Sequence, residues 1–207
     1  MVPSKITTFE IAPLPALKRQ DMRKVIAAIN TTIDGVCDHT AVLPDEQIHD
    51  HYTELLRGAD AILYGRVTYQ LMQYWQDLIE HPSEEQSMND FARAIDGIPK
   101  IVFSHSMRDA GPAAIGWDSA RLSDVPPEKV VKDLKAQAGR DILVGSPGLI
   151  VELANLNLID EYQLCVHPVV AGKGLQLFAR ISDRIVFRLL KTKVFNSGAI
   201  ILYYTRA

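Results

Sequence analysis

Cysteine is scarce. Cys37 and Cys165 are the only two, they lie far apart, and they fit neither a zinc pattern nor a redox dithiol, so no structural metal or disulfide framework is expected. Two isolated thiols are what a protein of the reducing cytoplasm carries. Basic runs are absent and the net charge is -3, which sets nucleic acid aside as a partner. No apolar stretch is long enough to span a bilayer and the first residues hold no hydrophobic signal core, so no membrane partner is expected. Internal repeats and low-complexity segments are also missing. What remains, 207 residues at 47% hydrophobic and 23% charged, has the make-up of an ordinary globular domain with ample core.

The stretch that organises the chain is DILVGSPGLIVELANLNLIDEYQLCVHPVVAGKGLQLF, residues 141–178. Ile142, Leu143 and Val144 form a short apolar run of the kind buried on both faces of a parallel sheet. Gly145-Ser146-Pro147-Gly148 follows at once, and Leu149, Ile150, Leu153, Leu156 and Leu158 are then spaced for one apolar helix face. Pro147 suits a first helical turn, where its missing N–H is not needed. Such a turn aims free backbone N–H groups and the positive end of a helix dipole at one point, a ready anion site that phosphate usually fills. The same residues also suit a plain strand-to-helix connection, and at this point both readings stand.

Earlier segments repeat the theme. Arg23 to Thr31 is expected to be a strand in which the small Ala27 and Ala28 admit a helix or a flat ligand. It leaves through Thr31-Thr32-Ile33-Asp34-Gly35, with Asp34-Gly35 the turn signal. Asp45 is a fitting N-cap for a helix to Arg57, with Ile48, Tyr52, Leu55 and Leu56 inward. His49, Asp50 and His51 are expected in solvent, and as neighbours on a helix they point apart, which disfavours a metal site. Asp60 to Tyr64 is the next strand, and Gly65-Arg66-Val67-Thr68-Tyr69 starts a helix running through Met72 and Trp75. A guanidinium, a hydroxyl and backbone N–H groups converging there would hold a phosphate, unless Arg66 pairs with a surface carboxylate.

Downstream, His81 to Met88 reads as a polar connector and Asn89 to Ile95 as a short helix. Lys100 to Phe103 is a third buried strand ending in Ser104-His105-Ser106, and Trp117 is expected in a short extended piece. Pro126-Pro127 opens a further helix, and Glu161 to Val166 is a strand that leads into a glycine loop from His167 to Gly174. Arg184 to Phe195 and Ala199 to Thr205 are long strands joined by a tight turn at Asn196-Ser197-Gly198. Residues 1–21, broken by Pro3, Pro13 and Pro15, are expected to be an extension ahead of a single domain over 22–207, with Met22 an alternative start.

Taken together, TTIDG, ILYGRVTY, KIVFSHS and the long stretch above resemble the dihydrofolate reductase-like family that includes the reductase domain of bacterial riboflavin biosynthesis. The resemblance runs from Arg23 to Thr205 and rests on the order and spacing of the motifs. It implies a three-layer α/β fold, a mostly parallel central sheet with an antiparallel C-terminal hairpin, and NADPH as cofactor. Carried over by motif, Gly65, Arg66 and Thr68, then Gly145, Ser146, Gly148 and Leu149, flank the cofactor's phosphates, and Ser104 lies by the adenosine 2′-phosphate. Ala28 and the Asp34-Gly35 loop would face nicotinamide and substrate. His105 stands where the family often has a basic residue, so a preference for NADPH falls on Arg66. Gln70 replaces the usual glutamate, Ser146 replaces the glycine commoner in the biosynthetic enzymes, and the cysteines of a zinc deaminase domain are missing. Fold and cofactor therefore carry over further than substrate.

Hydride transfer asks for position, dryness and a proton source. Asp34, a carboxylate of the Asp45 helix, or water could supply the proton; Asp34 equally suits a turn-former, and His167 is a further ionisable candidate. The leading expectation is an NADPH-dependent reductase of a small heterocycle. The competing ones are a non-catalytic nucleotide-binding module on the same fold and an unrelated nucleotide or phosphosugar enzyme. The apolar strands Ile185–Leu190 and Ile200–Tyr204 further point to a homodimer.

Overall fold

The apolar runs pair into one sheet. A computed structural model of the chain describes residues 23–42, 44–109 and 115–207. The expected N-terminal extension over residues 1–21, and Met22, lie outside the described residues. The strands are β1 (Val25–Thr32), β2 (Ala59–Gly65), β3 (Lys100–Phe103), β4 (Ala120–Leu122), β5 (Asp141–Val144), β6 (Glu161–His167), β7 (Phe187–Val194) and β8 (Ile200–Arg206). Their order is β4-β3-β2-β5-β1-β6-β8-β7. From β4 to β6 every pairing is parallel, whereas β8 runs antiparallel to both β6 and β7.

The helices are α1 (Glu46–Arg57), α2 (Arg66–Met72), α3 (Tyr74–Glu80), α4 (Gln86–Gly97), α5 (His105–Asp109), α6 (Pro127–Lys135) and α7 (Pro147–Asn155). They cover both faces of the sheet, and the period of two along each strand decides which residue meets which layer. Val25, Ala27, Ile29, Ile142 and Val144 pack against Val130 and Val131 of α6 and Ile150 and Leu153 of α7. The alternate residues Ile26, Ile62, Tyr64, Val102 and Leu143 pack against Leu56 of α1, Tyr69 of α2 and Ile95 of α4. That double burial is why these strands read as unbroken apolar runs rather than as alternation.

Register aligns the strand ends that matter. Leu63 lies beside Val144, Gly65 beside Phe103, and Ala27 beside Val144. Gly65, Ser104, Gly145 and Ala28 therefore emerge at one end of the sheet.

Several local expectations are corrected. The helix expected from Gly65 through Trp75 is two helices, α2 and α3, parted at Gln73. The connector expected to reach Met88 ends earlier, because α4 begins at Gln86. Trp117 lies ahead of β4 in a loop, buried, with its indole N–H donated to Asp96 at 2.7 Å, so it packs as core rather than as extended chain. Leu156 is 42% exposed because α7 stops at Asn155 and Asn157 takes a left-handed φ of 55°. The first strand begins two residues later than Arg23, and the seventh begins at Phe187 rather than Arg184.

The largest correction concerns His51. It is buried, its ring lying against Tyr52, Phe195 and Tyr203. The C-terminal hairpin covers the flank of α1 that a surface helix would leave wet, and burial pushes the imidazole down to about 4. His49 is half-buried and lies edge-on to Trp75. Asp45 caps α1 as expected, its carboxylate accepting from Ile48 N at 2.9 Å.

Candidate functional site

Two strand-to-helix turns meet at the aligned end of the sheet. Gly65 closes β2 and serves as N-cap of α2; Ser146 follows β5 and serves as N-cap of α7. Ser146 does not cap its own helix. Its buried hydroxyl accepts the Gly65 N–H at 2.9 Å and so ties one turn to the other. Neither α2 nor α7 has a side-chain cap or an acidic residue in its first turn. Their first-turn N–H groups therefore have no side-chain acceptor, and both dipoles present a positive end.

These turns form part of a cleft of about 1430 Å³. A pocket for one small ligand is usually about 300–1,000 Å³, so this cleft has room for two molecules side by side. Gly65, Arg66, Thr68, Ser104, Gly145, Ser146, Gly148, Leu149 and Ala28 all line it. Glycine matters here for space. A Cβ on Gly145 would sit 3.4 Å from the Tyr64 ring, whereas a Cβ on Gly148 would meet nothing within 4 Å, so the backbone at the start of α7 is open to approach.

The Arg66 guanidinium donates to Gln70 Oε1 at 3.2 Å, and among the described residues it makes no ion pair. Gln70, in the place of an acidic residue, leaves the positive charge uncompensated. Ser104 caps α5 by accepting from Met107 N at 3.1 Å and lies 3.3 Å from the Ser106 hydroxyl. His105 Nδ1 faces the guanidinium of Arg108.

The cleft also has aromatic walls, with Tyr52, Tyr64, Trp75 and Phe91 among its lining residues. The Trp75 and Phe91 ring centroids lie 4.4 Å apart, with the planes tilted by 57°. Asn30, Glu152, Asn155 and Arg180 also line the cleft. Asn30, Phe91, Glu152 and Arg180 were not singled out from sequence. Asn30 did carry a signal, because a polar residue inside a strand buried on both faces needs partners.

Asp34 is absent from the lining. Its carboxylate accepts from the Thr32 hydroxyl at 2.5 Å, from Ala171 N at 3.1 Å and from Gly172 N at 2.7 Å. Those bonds hold it down to about 2, so it is ionised near neutrality and has no proton to give. Through these bonds Asp34 clasps the His167–Gly174 loop. The Asp45 helix offers no carboxylate either, since α1 lines the cleft with His49, Tyr52, Leu55 and Leu56. His167 is buried at the end of β6 and lowered by that burial. Among the described residues no group of three or more His, Cys, Asp or Glu is arranged to hold a metal ion.

A mostly parallel sheet between helical layers, an antiparallel C-terminal pair, and a cleft at the strand ends define a dihydrofolate reductase-like α/β protein. Dihydrofolate reductase from Enterococcus faecalis, solved with NADP(H) and RAB-propyl, has a similar fold: TM-score 0.54 over 88% of this chain and 96% of that one, at 15% identity. A pyrimidine reductase-like protein of Corynebacterium diphtheriae is similar with TM-score 0.63, covering 91% and 93% of the two chains at 17% identity. In sequence, the chain is 31% identical over 186 residues to the uncharacterized protein YyaP of Bacillus subtilis, spanning 88% of this chain and 94% of that one. The RibD C-terminal domain model matches residues 23–201, and the chain belongs to that family. No helix among the described residues is long and apolar enough to cross a membrane.

Proposed function

We propose that the protein is an NADPH-dependent reductase that delivers hydride to a small, flat, polar heterocycle. One observation carries the reading: the Gly65–Ser146 hydrogen bond fuses two helix starts into one anion-receptive rim beside an uncompensated Arg66. The residues suit a dinucleotide phosphate. The start of α7 has open space at Gly148, the donors are backbone N–H groups, hydroxyls and a guanidinium, and no carboxylate of either first turn competes.

In this reading Gly65, Thr68, Gly148 and Leu149 hold the diphosphate, and Arg66 with Ser104 meets the 2′-phosphate. Ala28, whose side chain is a single methyl, lets the flat ring of the cofactor lie close to β1. Bound NADPH supplies the hydride; the chain's own part is to orient it, with the aromatic walls keeping water from the reacting face. With Asp34 committed to its loop, and neither an α1 carboxylate nor His167 in the lining, water is the one remaining proton source of those the sequence suggested.

Titration with NADPH and NADH tests the reading. Arg66→Ala should weaken NADPH by about 10- to 100-fold, the worth of a hydrogen bond to a charged group, and leave NADH nearly unchanged. Equal weakening of both would remove the 2′-phosphate role, and absence of NADPH binding to the parent protein would remove the reading itself. Binding without NADPH oxidation in the presence of pterin, folate and ribitylaminopyrimidine compounds would favour a non-catalytic nucleotide-binding module.

A homodimer joined through β7 belongs to the same proposal. That strand is at the sheet edge and is exposed nearly throughout, with Leu189 at 49% and Val194 at 68%. Sedimentation at micromolar concentration giving a monomer mass would rule it out.

A further inference from the structure

Asn30 is a polar residue on a strand whose neighbours are core, and it is anchored from two sides. Its Oδ1 accepts the Tyr52 hydroxyl at 3.2 Å and lies 3.1 Å from His167 Nε2. Burial lowers the pKa of His167, so the ring is neutral near pH 7 and carries one N–H to share. Tyr52 is half-buried and desolvation raises its phenol well above the ordinary range, so it keeps its proton as a donor. The Tyr52 hydroxyl donates to Oδ1, and an imidazole N–H on Nε2 would be a second donor to the same oxygen; together they fix which way the amide faces. The Nδ2 group then has no acceptor among the described residues, and Asn30 lines the cleft on β1, which β5 separates from β2 and β3, the strands that Arg66 and Ser104 follow.

We infer that Asn30 is a specificity-determining residue that donates from Nδ2 to a ring carbonyl of the heterocyclic substrate. Tyr52 and His167 act as positioning residues that hold the amide nitrogen outward. The inference rests on the reductase reading above and deepens it, since it names a lactam carbonyl as the group recognised. An amide locked in this way discriminates by sign. It welcomes an acceptor and sets donor against donor when the ligand offers an exocyclic amine at the same place, which leaves both groups unsatisfied.

The test uses two probes of the same shape, pterin with its 4-oxo group and ring N3–H, and 2,4-diaminopteridine with a 4-amino group and a bare N3. Their dissociation constants are measured at neutral pH by calorimetry on the full chain, alongside NADPH. The parent protein should prefer pterin by about tenfold or more. Asn30→Asp, close in shape but acceptor-only when ionised, should reverse that order. Tyr52→Phe should shrink the preference towards unity while NADPH affinity stays within about twofold. Circular dichroism confirms that each variant is folded; if Asn30→Asp does not fold, Asn30→Ser, which keeps a donor but loses the reach, should abolish the preference. A preference for the diamino compound in the parent, an order unchanged in Asn30→Asp, or failure of both pteridines to bind a protein that binds NADPH would overturn the inference and leave the reductase reading in place. Failure of NADPH itself would overturn the latter.

Discussion

The chain carries two glycine-rich loops within forty residues of each other, and they do opposite things. At Gly145–Gly148 the chain is open: Gly148 has nothing within 4 Å of where a Cβ would stand, and α7 starts without a side-chain cap. At Gly172–Gly174 the chain is closed. A Cβ on Gly172 would also meet nothing within 4 Å, but one on Gly174, at φ +134°, would lie 2.6 Å from Val36, and the Ala171 and Gly172 N–H groups are taken by Asp34. Glycine content is the same signal in both. What separates a ligand rim from a structural loop is whether the backbone donors are already satisfied from within the protein.

The sharpest way to break this contrast is to supply the open loop with an internal anion. Gly148→Asp places a carboxylate in the first turn of α7, where the helix dipole favours it by about 0.3–1 kcal/mol and no neighbour obstructs the new side chain. Thermal stability should hold or rise. NADPH should lose about 3 kcal/mol, roughly a hundredfold in Kd, because two like charges would compete for the same donors. Unchanged affinity in a folded variant would mean that the α7 turn is an ordinary connection.

Cutting the tie between the turns comes next in size. Ser146→Ala removes the acceptor of the Gly65 N–H in a buried setting, with an expected stability loss of about 1–3 kcal/mol in urea titration. NADPH affinity should fall several-fold as well, since the two helix starts no longer share one frame. A stability loss with no change in affinity would show that the bond serves packing alone.

The parts of this arrangement that were legible in sequence were those set by local pattern. Continuous apolar runs announced strands buried on both faces, and the glycines directly after the Asp60–Tyr64 and Ile142–Val144 runs placed the two turns; the nine residues expected around the cofactor all line one cleft. The illegible parts depend on long-range contact. His51 has the pattern of a surface residue, and its burial comes from Phe195 and Tyr203 of a hairpin far along the chain. Asn30 gains its orientation from His167 on the neighbouring strand. Asp34 was ambiguous for the same reason, because an Asp-Gly turn and a catalytic loop look alike until the residue-171 segment folds onto the carboxylate.

Asp34 also gives the smallest and most specific test of the closed loop. An asparagine there keeps the shape but offers one acceptor oxygen where Thr32, Ala171 and Gly172 now share two. The variant should therefore be modestly less stable than the parent near neutrality, with NADPH affinity unaltered. The gap should depend on acid in a definite sense. Hydrogen bonds hold the folded carboxylate at about 2 against an ordinary 3.8, so the folded state favours the ionised form. That stabilisation is complete above the ordinary value and is lost as pH falls through the folded one. Urea midpoints for parent and Asp34→Asn should thus stay a constant distance apart from pH 7 to pH 5 and converge below pH 4. A gap that persists undiminished to pH 3, or a loss of turnover without any loss of stability, would return Asp34 to the chemistry and leave the loop without its clasp.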